Sequence, residues 1–141
     1  MLNLMFLGER RISKGCIDVL QEKEFLKSFN LRVIVTNEQF FDGLIKAIKQ
    51  NDEIKFISNT KRNTDLLLQA IKENSIDVLI SVQHIWILPK SVLNAVDFKA
   101  FNLHNAKLPE YKGYNSISHA IINGEDEFFS TIHWMDAKVD S

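Results

Sequence analysis

The chain has 141 residues, of which 45% are hydrophobic and 25% charged, and its formal net charge at pH 7 is −1. This composition is typical of one globular domain, and the near-zero charge argues against extensive contact with nucleic acid or an anionic membrane. The single cysteine, Cys16, excludes an internal disulfide, and the sequence carries no long apolar span and no signal-peptide pattern, so we expect a cytoplasmic protein.

The first half of the chain alternates apolar runs with amphipathic segments. Residues 2–7 predict a strand, and 13–26 predict a helix on which Ile17, Leu20 and Phe25 are spaced to face a core and Cys16 is a small buried residue. Further strands are predicted over 31–35, 54–57 and 76–82, and further helices around 40–48 and over 65–73. Continuous apolar strands between such helices predict an α/β fold of the Rossmann-like, doubly wound type, with a mostly parallel sheet covered on both faces.

The second half continues this pattern with a helix over 90–96 and an apolar run that ends near residue 104. A helix is predicted over 116–122, where Asn123 and Gly124 form a stop signal, and a last strand over 128–135. In open sheets of this kind ligands bind beyond the carboxyl ends of the strands, so the turns at those ends are the candidate functional segments.

The turn after the first strand, residues 8–15, lacks both the dinucleotide-binding glycine pattern and the Gly-Lys-Ser/Thr ending of a P-loop. Arg10, Arg11 and Lys14 could still meet a diphosphate near the start of the first helix, because backbone N–H groups there favour anions. A solvated basic turn is the equal alternative. For the similar segment 60–64 the solvated alternative is favoured.

Polar residues with useful chemistry lie at the end of the apolar run. Asn102 and His104 are two positions apart, so in an extended segment they project from the same face while Leu103 points the other way. The segment 131–140 predicts a second strand and a loop that ends in the carboxylate of Asp140. The three side chains would supply a hydrogen-bond donor, a base and an orienting acid.

Two motifs here resemble those of the formyltransferases that take a formyl group from N10-formyltetrahydrofolate. The first is Asn-x-His followed by Leu-Pro-x-x-x-Gly, met by Asn102, His104 and residues 108–113. The second is Thr-Ile-His-x-Met with a later Asp, met by Thr131, Ile132, His133, Met135 and Asp140. The resemblance implies that Asn102, His104 and Asp140 are catalytic and that N10-formyltetrahydrofolate is the formyl donor.

The resemblance also assigns a role to the apolar loop after the strand 76–82. In the family this loop, with its Leu-Pro, forms part of the pocket for the pterin ring, so the candidate cofactor wall is Ile85, Trp86, Ile87 and Leu88. Packing of the loop against the helix 90–96 is the alternative. His84 and His119 are interpreted as structural and left out of the site, and His133 is structural or functional with equal weight.

Formyl transfer sets the roles that the resemblance implies. A neutral amine attacks the formyl carbon, and the resulting oxyanion needs donors, which Asn102 and a protonated His104 can provide. Asp140 would orient His104, and either the imidazole or a water relayed through Asp140 would take the amine proton. No metal is predicted, because the histidines lack ligand spacing and Cys16 stands alone.

The substrate expectation rests on a departure within the first motif. Relatives that act on methionyl-tRNA or glycinamide ribonucleotide continue after the His as Gly/Pro-Ser-Leu-Leu-Pro, whereas this chain reads Asn-Ala-Lys-Leu-Pro over 105–109. This resembles the branch that formylates dTDP-linked amino sugars for surface polysaccharide. The candidate substrate-binding residues are Arg10, Arg11, Lys14, Lys107 and Tyr111.

Three alternatives stay open: a methionyl-tRNA formyltransferase, a glycinamide ribonucleotide formyltransferase, and a non-catalytic nucleotide-binding module with the same α/β pattern. We expect no nucleic-acid or membrane partner, and a homodimer is compatible with this reading. The resemblance further implies that residues 1–141 are an incomplete catalytic domain. Impaired activity of the isolated chain and some uncovered apolar surface are therefore expected.

Overall fold

The computed structural model describes residues 1–37, 53–58, 61–113 and 115–136. The helix predicted around 40–48 and Asp140 lie outside these ranges. The strands are β1 (Leu2–Gly8), β2 (Phe29–Thr36), β3 (Lys55–Ser58), β4 (Val78–Val82), β5 (Ala100–His104) and β6 (Thr131–Trp134). The described α-helices are α1 (Arg11–Leu20), α2 (Thr64–Glu73), α3 (Lys90–Asn94) and α4 (Ser116–Ile122).

The six strands form one sheet in the order β3-β2-β1-β4-β5-β6. All neighbouring strands run parallel except β5 and β6, which are antiparallel. The chain builds outward from β1 to β3 on one side and then from β4 to β6 on the other, so the strand order reverses between β1 and β4. The predicted doubly wound, mostly parallel sheet is confirmed, and this reversal marks the expected ligand crevice.

Both faces of the sheet are covered by apolar side chains. Along β1, Met5 and Leu7 join a cluster with residues of α2 and α3, whereas Leu4 and Phe6 join a second cluster with Ile17 of α1. Alternate residues of a strand point to opposite faces, so a strand buried on both sides must be apolar at every position. This explains why the run that forms β1 is continuous rather than alternating.

Helix α1 is shorter than the sequence pattern predicted. It ends at Leu20, and a separate 3₁₀ turn spans Phe25–Lys27, whose Phe25 side chain is 38% exposed rather than turned into the core. The reason is that residues 21–24 are all polar or charged, so no apolar side chain holds the next turn of helix against the sheet. Cys16 lies on α1 as predicted but is only half-buried at the edge of the second cluster.

The turn from β1 into α1 is closely packed. A Cβ atom added to Gly8 would lie 2.4 Å from Oγ of Ser13 and 2.6 Å from Cε1 of Phe6. The Ser13 hydroxyl is buried and donates a hydrogen bond to the carbonyl of Val82 at 3.2 Å. Helix α1 therefore approaches the ends of β1 and β4 so closely that the strand must end in glycine.

The last described strand is also shorter than predicted. β6 starts at Thr131 rather than 128, and the side chains of Phe128 and Phe129 are exposed. Ile132 and Trp134, on the outward face of β6, are exposed as well, and Trp134 stacks against Phe101 with ring centroids 4.0 Å apart.

Among the described residues, no helix has the length and apolar character needed to cross a membrane.

Candidate active site

A cleft of about 430 Å³ opens at the carboxyl ends of β1, β4 and β5. Its volume is in the range of small-molecule binding sites, and its position beside the reversal of strand order is where such sheets bind ligands. The cleft brings together most of the residues singled out in the sequence. Its lining includes Arg10, Ile85, Trp86, Ile87, Leu88, Asn102 and His104.

Asn102 is held by β6. Strand pairing sets Asn102 opposite His133, and the Asn102 amide nitrogen lies 3.2 Å from Nε2 of His133. Nδ1 of His133 lies 2.9 Å from the carbonyl oxygen of Trp134, which can only accept, so Nδ1 carries a proton and donates. In the neutral ring Nε2 is then an acceptor for the Asn102 amide. His133 therefore orients Asn102.

His104 is held by a backbone carbonyl group. Its Nε2 lies 2.7 Å from the carbonyl oxygen of Tyr111, so Nε2–H donates to that carbonyl. Leu103, between the two polar residues, packs against the second core cluster, which confirms that Asn102 and His104 project from the face opposite to it.

The turn that follows β5 is tied to β6 by hydroxyl groups. Thr131 donates to the carbonyl of Ala106 at 2.7 Å and accepts from the N–H of Leu108 at 3.4 Å. Ser130 donates to the side-chain oxygen of Asn105 at 2.8 Å. The Leu108–Pro109 peptide bond in this turn is cis. These contacts fix the path of the first motif after His104.

The loop 85–88 packs partly on the core and partly faces the cleft, and its role as a cofactor wall stays a prediction. Ile85 and Ile87 are 38% and 59% exposed and present apolar surface at the cleft. Leu88 is buried in the first core cluster, and Trp86 packs against that cluster. The loop is thus anchored on the core through Trp86 and Leu88 while its isoleucines stay open to a ligand.

His84 lies at the inner end of this loop. Its ring is buried with the side chain of Glu9, and its Nε2 lies 3.4 Å from Oε1 of Glu9. Burial lowers the pKa of His84 to about 4, and burial likewise raises the pKa of Glu9 against the opposing effect of Arg62 and Arg10. His84 lines the cleft, whereas His119 is exposed on α4.

The five candidate substrate-binding residues do not converge on one place. Arg10 lines the cleft, whereas Arg11 and Lys14 do not, and Lys14 lies 3.6 Å from Asp18 on its own helix. Lys107 and Tyr111 line a second cavity of about 420 Å³ beside Phe128 and Phe129. There the Tyr111 hydroxyl donates to Glu125 at 2.6 Å, and this bond raises the pKa of Tyr111.

Two residues with a clear structural role at the site were not assigned one from the sequence. The sequence pattern leaves His133 structural or functional with equal weight and indicates no role for Glu9. The sequence signal for His133 is its place in the second motif, because pairing of the two motif strands sets it opposite Asn102.

Within the ranges that the structure describes, no group of three or more His, Cys, Asp or Glu side chains could hold a metal ion.

The fold and the cleft define the class of the protein. It is a doubly wound α/β domain, and its cleft at the carboxyl ends of the strands is lined by an apolar loop, an amide and an imidazole. The chain belongs to the formyl transferase family, whose sequence profile matches residues 4–141. The family predicted from the two motifs is therefore confirmed.

Curated relatives agree with this assignment. The chain is 26% identical over 127 residues to a methionyl-tRNA formyltransferase from Mycoplasmopsis pulmonis, covering 84% of this chain and 43% of the relative. It is 27% identical over 150 residues to a methionyl-tRNA formyltransferase from Clostridium tetani, covering 100% of this chain and 47% of the relative. The chain thus spans less than half the length of these relatives.

Solved structures share the fold. A phosphoribosylglycinamide formyltransferase from Anaplasma phagocytophilum superimposes with a TM-score of 0.80 at 21% identity, over 99% of this chain and 67% of that one. A formyltetrahydrofolate deformylase from Pseudomonas syringae gives a TM-score of 0.80 at 15% identity, over 99% of this chain and 47% of that one. At these identities the likeness establishes the fold.

Proposed function

We propose that residues 1–141 belong to the catalytic domain of an enzyme that transfers a formyl group from N10-formyltetrahydrofolate to the amine of a nucleotide-linked amino sugar. The observation that carries the proposal is the placement of Asn102 and His104 in one cleft with the apolar wall of Ile85 and Ile87. In keeping with the lone Cys16, we expect the enzyme in the cytoplasm. The homodimer stays a prediction.

The cleft geometry fits the needs of formyl transfer. The amide nitrogen of Asn102 carries two N–H groups, so one can bond to His133 while the other meets the oxyanion that forms when the amine attacks. His104 is held through Nε2, and its imidazole is proposed to donate to the oxyanion or to accept the proton of the amine. Asp140 is proposed as the acid that orients His104.

The apolar wall suits the flat pterin ring of the folate donor. Exposed isoleucines give it a surface to stack on, and backbone groups of the loop can read its polar edge. N10-formyltetrahydrofolate supplies the activated formyl group when it is bound there, and the roles of holding it and stabilising charge fall to this chain's residues.

Binding of a folate should change the fluorescence of Trp86. The chain has two tryptophans, and Trp134 lies on β6 outside the cleft lining, so a Trp134→Phe variant leaves Trp86 as the reporter. We expect 5-formyltetrahydrofolate, a stable analogue, to quench or shift this signal in a saturable way. Calorimetry that detects no binding up to about 1 mM, the weak end of specific affinity, would rule out the folate site.

The sugar substrate is proposed from the first motif and the charge of the chain. The sequence Asn-Ala-Lys over 105–107 departs from the form met in the tRNA and ribonucleotide branches, and a net charge of −1 is ill suited to neutralising many tRNA phosphates. A diphosphate needs few cations, and Arg10 at the cleft is placed to supply one. The second candidate is methionyl-tRNA formylation, which the names of the curated relatives favour.

A substrate panel separates these candidates. The protein is offered methionyl-tRNA, glycinamide ribonucleotide, and 3-amino and 4-amino dTDP-sugars, each with N10-formyltetrahydrofolate. We expect kcat/KM for at least one amino sugar to exceed the other two substrates by about a hundredfold or more, because a site built for one amine loses its contacts with another. Preferred turnover of methionyl-tRNA would establish the second candidate instead.

A further inference from the structure

We propose that Glu9 and His84 are a positioning pair that sets the backbone of the cofactor wall through one shared proton. The inference deepens the proposed function, since it rests on folate binding against residues 85–88. Neither residue touches the reacting atoms in this scheme. Their effect on the reaction passes through the loop that holds the cofactor.

The pair is buried and connected to the wall at two backbone positions. The side chains of His84 and Glu9 are 2% and 9% exposed. Nδ1 of His84 lies 3.3 Å from the carbonyl oxygen of Trp86, and the backbone N–H of Ile85 donates to the Glu9 carboxyl group. Gln83, which precedes His84, has a φ of 49°, so the loop leaves β4 through a left-handed turn before it reaches these contacts.

The two contacts of the His84 ring place conflicting demands on a neutral imidazole. The Trp86 carbonyl can only accept, so Nδ1 must carry the proton, and Nε2 is then a lone pair that faces Oε1 of Glu9 at 3.4 Å. An ionised carboxylate would repel that lone pair. A protonated Glu9 resolves the conflict if the proton is on Oε1, because that hydroxyl can donate to Nε2 while its oxygen accepts from the N–H of Ile85. Oε2 of Glu9 is buried with no hydrogen-bond partner, which costs less for a neutral carbonyl oxygen than for a charged carboxylate.

The surroundings favour this uncharged arrangement over an ion pair. Burial holds the pKa of His84 at about 4, which keeps the ring neutral near pH 7, and burial raises the pKa of Glu9. The charged groups that act on the pair are Arg62, which opposes charge on His84, and Arg62 and Arg10, which favour ionised Glu9. The two arginines thus oppose the rise in the pKa of Glu9, so Glu9 can still lose its proton as the pH rises.

Loss of the Glu9 proton should shift the backbone of residues 85–88. With Glu9 ionised, His84 is better placed with its proton on Nε2, donating to the carboxylate, and Nδ1 then turns a lone pair towards the Trp86 carbonyl. The bond that holds Trp86 is replaced by a repulsion. We therefore expect the cofactor to bind more weakly as the pH rises and Glu9 ionises.

The test compares Glu9→Gln with Glu9→Ala. A glutamine amide mimics the protonated acid at the His84 contact, because it is uncharged and its N–H can donate to Nε2. We expect Glu9→Gln to keep KM for N10-formyltetrahydrofolate within about threefold of wild type, and Glu9→Ala to raise it about tenfold or more with a much smaller change in kcat. The exposed Glu22, changed in the same two ways, is the matched control and should alter neither constant.

The pH profile gives the second measurement. As the pH rises above the usual range of a glutamate carboxyl, wild-type KM for the folate should rise with pH, whereas that of Glu9→Gln should stay flat. Nitrogen chemical shifts of ¹⁵N-labelled histidine should show neutral His84 protonated on Nδ1 at pH values between the pKa of His84, about 4, and the raised pKa of Glu9. A charged His84 ring there, or Glu9→Gln as impaired as Glu9→Ala, would overturn the proposal. If Glu9→Ala does not fold, the histidine spectrum and the Gln profile still decide it.

These measurements distinguish a failure of the proposed folate-dependent function from a failure of the Glu9–His84 pair. If the wild-type protein binds no folate at any pH, the proposed function fails, and the histidine spectrum alone reports on the pair. If the wild type binds folate and all Glu9 variants bind it equally at every pH, the folate site stands and the positioning pair is wrong.

Discussion

Replacing His104 by alanine lowers kcat for formyl transfer by at least about a hundredfold, the scale on which positioned acid–base groups and oxyanion donors act. The imidazole is anchored through Nε2 on the Tyr111 carbonyl, so its loss removes a group already in place for the reaction. The folate should still bind, because the apolar wall lies on a different loop. Single-turnover rates and the dissociation constant of 5-formyltetrahydrofolate, measured on the same variant, separate the two effects.

Asn102→Ala should behave in the same way, and the double variant should be far less impaired than the product of the two single effects, because both residues serve one oxyanion. The same loss is predicted for Asp140→Ala from the motif alone. His119→Ala is the matched control, since His119 is exposed on α4 outside the cleft lining. Turnover of His104→Ala at the wild-type rate would remove the basis of the whole site.

Replacing Gly8 by alanine should lower the free energy of unfolding by about 1–3 kcal/mol, as expected for a methyl group forced into filled space. The added Cβ would lie 2.4 and 2.7 Å from Oγ and Cβ of Ser13. Ser13 cannot rotate away without giving up its buried bond to the Val82 carbonyl. The cost therefore includes either displacement of α1 or an unsatisfied carbonyl. Urea denaturation of the purified variant measures it.

The matched control is Gly15→Ala on the same helix. A Cβ at Gly15 meets no atom within 4 Å, and the residue is exposed in the middle of α1. Alanine there should raise the free energy of unfolding by up to about 1 kcal/mol, because glycine is the poorer helix former. Equal midpoints for Gly8→Ala and the wild type would show that α1 is not packed against β1 as described.

The order of elements was predictable because apolar periodicity and turn residues act locally. The runs that form β1 and β4 are apolar at nearly every position, which only a strand buried on both faces requires. The ends of elements were predicted less well. Helix α1 stops at Leu20 because of a polar stretch that still has good helix propensity, so the missing tertiary contact decides the boundary.

The site residues that belong to a sequence motif were predictable. The contacts that join residues of different strands were less so. Asn102 and His104 stand two apart in one strand, and the structure brings them to one cleft. The support from His133 depends on the register of β5 against β6, and the contact of Glu9 with His84 depends on which strands are neighbours. Neither can be derived from local spacing, because the residues involved are distant in the sequence.

The antiparallel pairing of β6 with β5 has a consequence for biosynthesis. Asn102 and its partner His133 are 31 positions apart, and Thr131 of the same strand holds the turn after His104. A ribosome adding about 5–20 residues per second would therefore expose Asn102 roughly 2–6 s before its partner follows. In that interval β5 is the open edge of a nascent parallel sheet. Until β6 has paired with β5, the unpaired backbone groups of this edge are a candidate binding site for chaperones.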